Sequence, residues 1–435
     1  MLYVNQSITK TTRNAAIVME ADRVLYTNVV VTHRTALAEI AMPSTALPFS
    51  QIEYATRLAK TRDAMEAKGI DLLFVEDPSN MAWLTGYDGW SFYVHQGVIV
   101  FKDQDPIWWG RSMDGNGAVR TVYMDDDRVL RYPDHYVQAN TLHPMQHLAE
   151  IIRAYGYHNQ RIGVELENYY FSAKAYLVLQ EELPDAKFVD ATALVNWQRA
   201  VKSDEEITFM RRAARISEKM IDGIVERIEP GMKKNDLVAE IYADAIRGVD
   251  DDWGEYPAIV PLLPSGSDAA APHLTWDGRR FEEGQATFFE IAGCYRRYHA
   301  PLCRTVFLGQ PPQHMLDAEK ALVEGIEAGL EIARPGNRAG QIADALYGSL
   351  EKAGIKRDGR CGYPIGISYP PDWGERTISL RREDETVLEA GMTFHFMPGL
   401  WMADWGLEIT ESILIKEDGP AEALCRRPRE LIVKN

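Results

Sequence analysis

Two segments of this chain repeat one another in register. Pro230-Gly231 is followed by helix-like Leu237-Val-Ala-Glu-Ile-Tyr242, and Pro335-Gly336 by helix-like Ile342-Ala-Asp-Ala-Leu-Tyr347. The Pro-to-Tyr spacing is twelve in both, and each unit follows a long amphipathic stretch and leads into strand-like sequence. A helix–ProGly–helix unit used twice predicts a pseudo-twofold α+β domain. Pro-Gly after a helix is common, so coincidence is the alternative. The matched register favours duplication.

The start of that domain is written near Val201. Ser203-Asp-Glu-Glu206 has capping-box spacing, with Ser at the N-cap and Glu at the third helical position. It predicts a long helix to about Ile228, ended by Pro230-Gly231. Upstream, residues 53–68 have Tyr54, Leu58 and Met65 on one side and Gly69 as a stop, which predicts an amphipathic helix. Strands are expected at 71–75, 97–101, 106–109 and 161–165, with helices near 145–155 and 171–182. That alternation describes an α/β domain over about 46–200, followed by the α+β domain over 201–435. Residues 1–45 lack clear periodicity and are expected to be a poorly ordered extension, with Met42 a plausible natural start.

The chain's 435 residues suit two domains with sizeable cores. A net charge of −17 argues against nucleic-acid binding, which needs a basic face. The four cysteines form no CxxC pair, so neither a zinc ribbon nor a disulfide framework is expected. No apolar run approaches membrane-spanning length and no signal-peptide core is visible. The expectation is a cytoplasmic enzyme with no membrane association.

Several residues carry candidate chemistry. Glu290 lies in the apolar strand Ala286-Thr-Phe-Phe-Glu-Ile-Ala292. A carboxyl buried there must be paired or functional, and Arg304 or Arg297 would be the structural partner. His273 follows the Gly/Ser-rich Ser265–Asp268 loop and suits proton transfer near neutral pH. His299 and His395 read as structural or as supports for the groups that meet substrate. Arg376, in Asp372-Trp-Gly-Glu-Arg376, suits recognition of a substrate carboxylate, with Glu375 beside it. Tyr363 either donates to a developing charge or fills space. Trp90, Tyr93 and Trp401 belong to a crowd of aromatics around the presumed mouth, where ring faces accommodate delocalised cations. Glu408 is a substrate-side carboxylate or part of a charged strand face.

These segments resemble the creatinase/aminopeptidase-P (M24, pita-bread) family. Thr287-Phe-Phe-Glu-Ile-Ala-Gly, followed by Tyr298-His-Ala-Pro-Leu-Cys-Arg304-Thr305, is similar to that family's paired metal strands. Lys202-Ser-Asp-Glu-Glu-Ile resembles the opening of its catalytic domain. The resemblance implies a creatinase-type N-terminal domain before a pita-bread domain. It places five metal-ligand positions on Glu290, Pro301, Tyr363, Met397 and Thr410, of which only Glu290 is a carboxylate. It therefore implies a metal-free member without cofactor, in which Glu290 and His273 are catalytic, as in creatinase. The fuller motifs, Gly362-Tyr-Pro-Ile-Gly366 through Glu375 and Trp405-Gly-Leu-Glu-Ile-Thr-Glu411, imply a hydrolase that opens the C–N bond of a small cyclic amidine. A homodimer is implied, with the Thr85–Trp90 segment reaching the partner's site. The alternatives are a creatinase-like amidinohydrolase, an Xaa-Pro peptidase-like metallohydrolase, and a pita-bread protein that binds without catalysis.

Overall fold

A computed structural model describes residues 47–435; the predicted extension over 1–45 lies outside the described residues. The first element is the helix Gln51–Ala67. Ser50 caps it by accepting a hydrogen bond from the Glu53 N–H, and it buries Tyr54, Leu58 and Met65. It stops where expected, with Gly69 in the left-handed region that L side chains avoid.

The following α/β layer is a six-stranded mixed sheet. Across it run Val129–Tyr132, Ile107–Arg111, Gly97–Phe101, Leu72–Val75, Arg161–Val164 and Lys187–Asp190. Leu72–Val75 is central, antiparallel to Gly97–Phe101 and parallel to Arg161–Val164. Its four side chains are all buried, which explains its apolar run rather than an alternating pattern. Helices Pro144–Ala154 and Ala173–Glu182 pack together over one face of the sheet.

The C-terminal domain is the duplicated α+β unit. Ser203 and Glu206 close the predicted capping box of the helix Asp204–Arg227. Helix Lys234–Arg247 follows and packs against Asp204–Arg227, which itself lies along the long hairpin Ala286–Tyr295/Tyr298–Leu308. The second unit pairs helices Gln313–Ile332 and Ala339–Lys352 and packs them on the sheet containing Thr393–Phe396 and Glu411–Leu414. Gly231 and Gly336, at matching points of the repeat, have nearly the same backbone, φ +92° and +87°. The repeat is thus one local conformation used twice.

Close approach decides how the first unit packs. A Cβ on Gly293 would lie 2.3 Å from the Ala213 carbonyl and 2.7 Å from the Ser217 amide, so helix Asp204–Arg227 lies directly on the hairpin. Gly293 N–H donates to the Ser217 hydroxyl, which donates onward to the Ala300 carbonyl.

Buried charges join the two layers. Arg57 lies 3.5 Å from Glu206, which also accepts hydrogen bonds from Tyr298 and Trp83. Lys202 pairs with Glu375 at 2.7 Å, and Arg199 lies 3.6 Å from the same carboxylate. Ions taken out of water must be paired this closely to be tolerated.

Candidate active site

The hairpin Ala286–Tyr295/Tyr298–Leu308 is buried along its whole length, and Glu290 sits in its middle, opposite Cys303. The Glu290 backbone is held in a two-way bridge to Leu262. This fixes the carboxyl on one wall of a cavity of about 630 Å³. His273, Tyr363, Arg376 and Trp401 line the same cavity, as do Arg360, Asp372 and Met397.

Glu290 is 5% exposed. Burial, with the negative charge of Asp372 adding to it, pushes its pKa up to about 7. Neither arginine expected as its structural partner reaches it. Arg304 is spent on Glu411 at 2.7 Å and on the Thr410 carbonyl, and Arg297 donates to the Tyr256 and Ser368 carbonyls. Among the described residues, the cationisable group within 4 Å is His395, whose Nδ1 lies 3.9 Å from the carboxylate. Burial, reinforced by the Arg360 charge, drives the His395 pKa down to about 3, so the ring is neutral. Asp372 is also raised, chiefly by burial, although it accepts the Gly374 N–H at 2.9 Å.

Tyr363 reaches the cavity from the strand Gly362–Pro364, paired with Thr393–Phe396 so that Tyr363 lies opposite His395. Its hydroxyl accepts from Trp373 Nε1–H at 2.8 Å and lies 3.1 Å from His395 Nδ1. The other imidazole nitrogen, Nε2, lies 2.8 Å from the Thr410 hydroxyl, which accepts the Cys303 N–H at 2.7 Å. The Arg360 guanidinium sits 4.6 Å over the Tyr363 ring, and that of Arg376 sits 4.5 Å over Tyr169, another cavity residue. The cavity therefore has a buried carboxyl at one wall and two exposed cations at its rim.

Other sequence expectations land elsewhere. Glu375 does not line the cavity; its carboxylate faces inward and is neutralised by Lys202 and Arg199, while its neighbours Gly374 and Arg376 form the wall. Glu408 is fully buried beside Glu290, and burial, with the Glu290 charge adding to it, raises its pKa well above the ordinary carboxylate range. Neither Glu408 oxygen has a hydrogen-bond partner among the described residues. It backs the cavity without bordering it. Trp90 packs on Phe92 and Tyr256, and Tyr93 lines a separate cavity with His95 and His143. Within one chain, neither touches the Glu290 cavity.

Sequence reasoning did not single out Arg360 and Asp372, and it left His395 as either structural or a support for the site. Arg360 stands three residues before Tyr363, and an arginine beside a recognised motif was the available signal. His395 gave none, because its role comes from a strand pairing.

The residues at the ligand positions that the resemblance implies do not suit a paired metal centre. Pro301 offers only a carbonyl, which accepts from Ser412. Met397 offers a thioether, and Tyr363 and Thr410 are tied to the two nitrogens of His395. Hard divalent cations want several carboxylates, with bridging ones for a pair. Among the described residues, no group of three or more His, Cys, Asp or Glu side chains converges as a metal site.

Comparison with known proteins places this geometry. Residues 57–201 match the creatinase/prolidase N-terminal domain, and residues 208–417 match the metallopeptidase family M24. The chain is 60% identical over 389 residues to the ectoine hydrolase of Halomonas elongata, covering 88% of this chain and 97% of that protein. It is 41% identical over 384 residues to an uncharacterized hydrolase/peptidase of Sinorhizobium fredii, covering 88% and 98%. The crystal structure of a prolidase from Thermococcus sibiricus shares the fold, with TM-score 0.76 at 18% identity over 88% of this chain and 100% of that one. The chain belongs to the metallopeptidase family M24, with a creatinase/prolidase N-terminal domain ahead of a pita-bread catalytic domain.

Proposed function

We propose that this protein is an ectoine hydrolase, opening the cyclic amidine of ectoine to N-acetyl-L-2,4-diaminobutyrate. The observation that carries the reading is the 60% identity to a curated ectoine hydrolase along 97% of its length. The cavity makes chemical sense of it. Ectoine is a zwitterion, with a delocalised amidinium and a carboxylate on one small ring. Glu290 supplies a buried negative charge for the amidinium, while Arg360 and Arg376 supply positive charge for the carboxylate. Trp401 and Tyr363 offer faces to the flat cation.

The amidinium carbon is already electrophilic, so the reaction asks less of a metal Lewis acid. Water is added across one C–N bond. Its oxygen becomes the acetyl carbonyl, and the ring nitrogen leaves with an added proton. Glu290 either activates that water or attacks the carbon itself, and His273, on the same cavity, delivers the proton to the departing nitrogen. A metal-independent reaction is supported by the donor set at the ligand positions, which offers Glu290 as its one carboxylate. We place the enzyme in the cytoplasm as a homodimer. Trp90 and Tyr93 are 59% and 66% exposed, and they supply the partner's cavity mouth in this reading.

An NMR time course of the purified protein with ectoine, with and without EDTA, tests the whole reading. Acetyl-diaminobutyrate forming equally in both supports it. Loss of turnover in EDTA removes the metal-independent part. Absence of turnover in either, with creatine consumed instead, transfers the site to a guanidine substrate.

A further inference from the structure

We propose that Tyr363 is the hydrogen-bond donor of the reaction, and that His395 is a positioning residue that turns the Tyr363 hydroxyl proton into the cavity. The argument is a count of donors and acceptors in a closed chain of neutral groups. Cys303 N–H donates to Thr410 Oγ1 at 2.7 Å. Thr410 Oγ1 lies 2.8 Å from His395 Nε2, and His395 Nδ1 lies 3.1 Å from Tyr363 Oη. Trp373 Nε1–H donates to Tyr363 Oη at 2.8 Å. Thr410, His395, Trp373 and Cys303 have no solvent contact.

A neutral imidazole carries one N–H and one lone pair, and a hydroxyl has one proton and two acceptor sites. If the imidazole proton is on Nε2, it points at Thr410. The Thr410 proton then has no acceptor, because among the described residues its hydroxyl has no side-chain or backbone partner besides His395 and the Cys303 donor. A buried donor without a partner is disfavoured. In that form the Nδ1 lone pair also faces the Glu290 carboxyl, 3.9 Å away. If the proton is on Nδ1, Thr410 donates to Nε2 and every buried donor is used. Nδ1–H then donates to Tyr363 Oη, and its polarity suits Glu290. The structure selects this second form.

The consequence falls on Tyr363. Trp373 and His395 fill both acceptor sites of its oxygen, so its own proton must leave by the remaining open side. That side is the cavity, which Tyr363 lines together with Glu290. A preorganised O–H aimed at the reacting centre is an oxyanion-hole-type donor. On the ectoine reading, it meets the water-derived oxygen that becomes the acetyl carbonyl. It donates a hydrogen bond there and forms or breaks no covalent bond itself.

Two measurements test this, and the first needs no substrate. Protein labelled with ¹⁵N-histidine is examined by long-range ¹H–¹⁵N correlation, with His395 assigned by its loss in His395→Gln. The expected pattern is a protonated Nδ1 and a bare Nε2; the reverse pattern overturns the proposal whatever the substrate proves to be. The second is kinetic, with thermal melts as the folding control. Tyr363→Phe is expected to lower kcat about 10²-fold, the usual loss for one such donor. KM should change little, because the bond is made in the transition state. Thr410→Val should lower kcat in the same direction and Thr410→Ser should restore it. The Tyr363→Phe/Thr410→Val double variant should be no slower than Tyr363→Phe alone. A Tyr363→Phe enzyme with wild-type kcat, or additive losses in the double variant, overturns it. Wild-type protein inert toward ectoine would defeat the functional reading alone, leaving the ring spectrum to decide the proton's direction.

Discussion

At the scale of single residues, the site is governed by what burial does to charge. Glu290 must be ionised to act as base or nucleophile, yet its pKa stands at about 7. The acid limb of kcat/KM should therefore rise through about pH 7 in the free enzyme. In the complex, the amidinium beside Glu290 favours the anion, so the limb of kcat should lie at lower pH. A pH–rate profile checks both. The same shift costs stability. A carboxyl whose folded pKa is raised contributes stability that is full below its unfolded pKa, about 4.5, and is lost as pH rises through its folded value. Glu290→Gln should then lose more than ~10³-fold in kcat while raising Tm at pH 8, with the gain vanishing near pH 4; kinetics and melts at both pH values measure it. Arg360→Gln should cost about 10²-fold in kcat/KM for ectoine, the worth of a charge-assisted hydrogen bond, and little for the same cyclic amidine lacking the carboxylate. Equal losses on both substrates would assign Arg360 a structural role. Of these residues, Glu290 was visible in sequence because a lone carboxyl in an apolar strand is anomalous. Arg360 carried only its place three residues before Tyr363, a weak signal because exposed arginines are ordinary.

Elements are where sequence was most readable. The capping box at Ser203, the left-handed stop at Gly69 and the paired Pro-Gly units are local signals, and each is met by a local conformation. The strands Val129–Tyr132 and Lys187–Asp190 carry no such signal. Both lie at sheet edges, with exposed positions that blur an apolar pattern. Packing between elements leaves a different mark. Gly293→Ala should destabilise by about 1–3 kcal/mol, because the added methyl meets backbone of the overlying helix, which cannot rotate away. Gly117, which has nothing within 4 Å of an added Cβ, provides the control, and thermal unfolding compares the two.

The whole molecule depends on the charges between its layers. The side chains of Lys202 and Glu375 are each about 1% exposed, and the pair stands behind the wall that carries Gly374 and Arg376. Lys202→Met should cost roughly 1–3 kcal/mol by leaving the buried Glu375 carboxylate with only the more distant Arg199, and the double change Lys202→Met/Glu375→Leu should recover much of it. Denaturant unfolding of both variants gives the comparison. Glu375 beside Arg376 looked in sequence like a second substrate contact. Only the chain's path shows that neighbouring side chains leave on opposite sides of this wall, one to solvent and substrate, the other to the domain boundary.

By itself, the sequence determined the repeated helix–ProGly–helix pattern, the helix starts and stops, and the anomalous carboxyl of Glu290 in an apolar strand. These depend on residue type and short spacing, which one chain displays directly. Tertiary structure alone decided which way each buried polar group points. Thr410, His395 and Tyr363 are far apart in sequence, and their hydrogen bonds exist because a hairpin and two short strands lay them side by side. A proton's direction depends on the full set of neighbours competing for it, and that set is assembled only by folding.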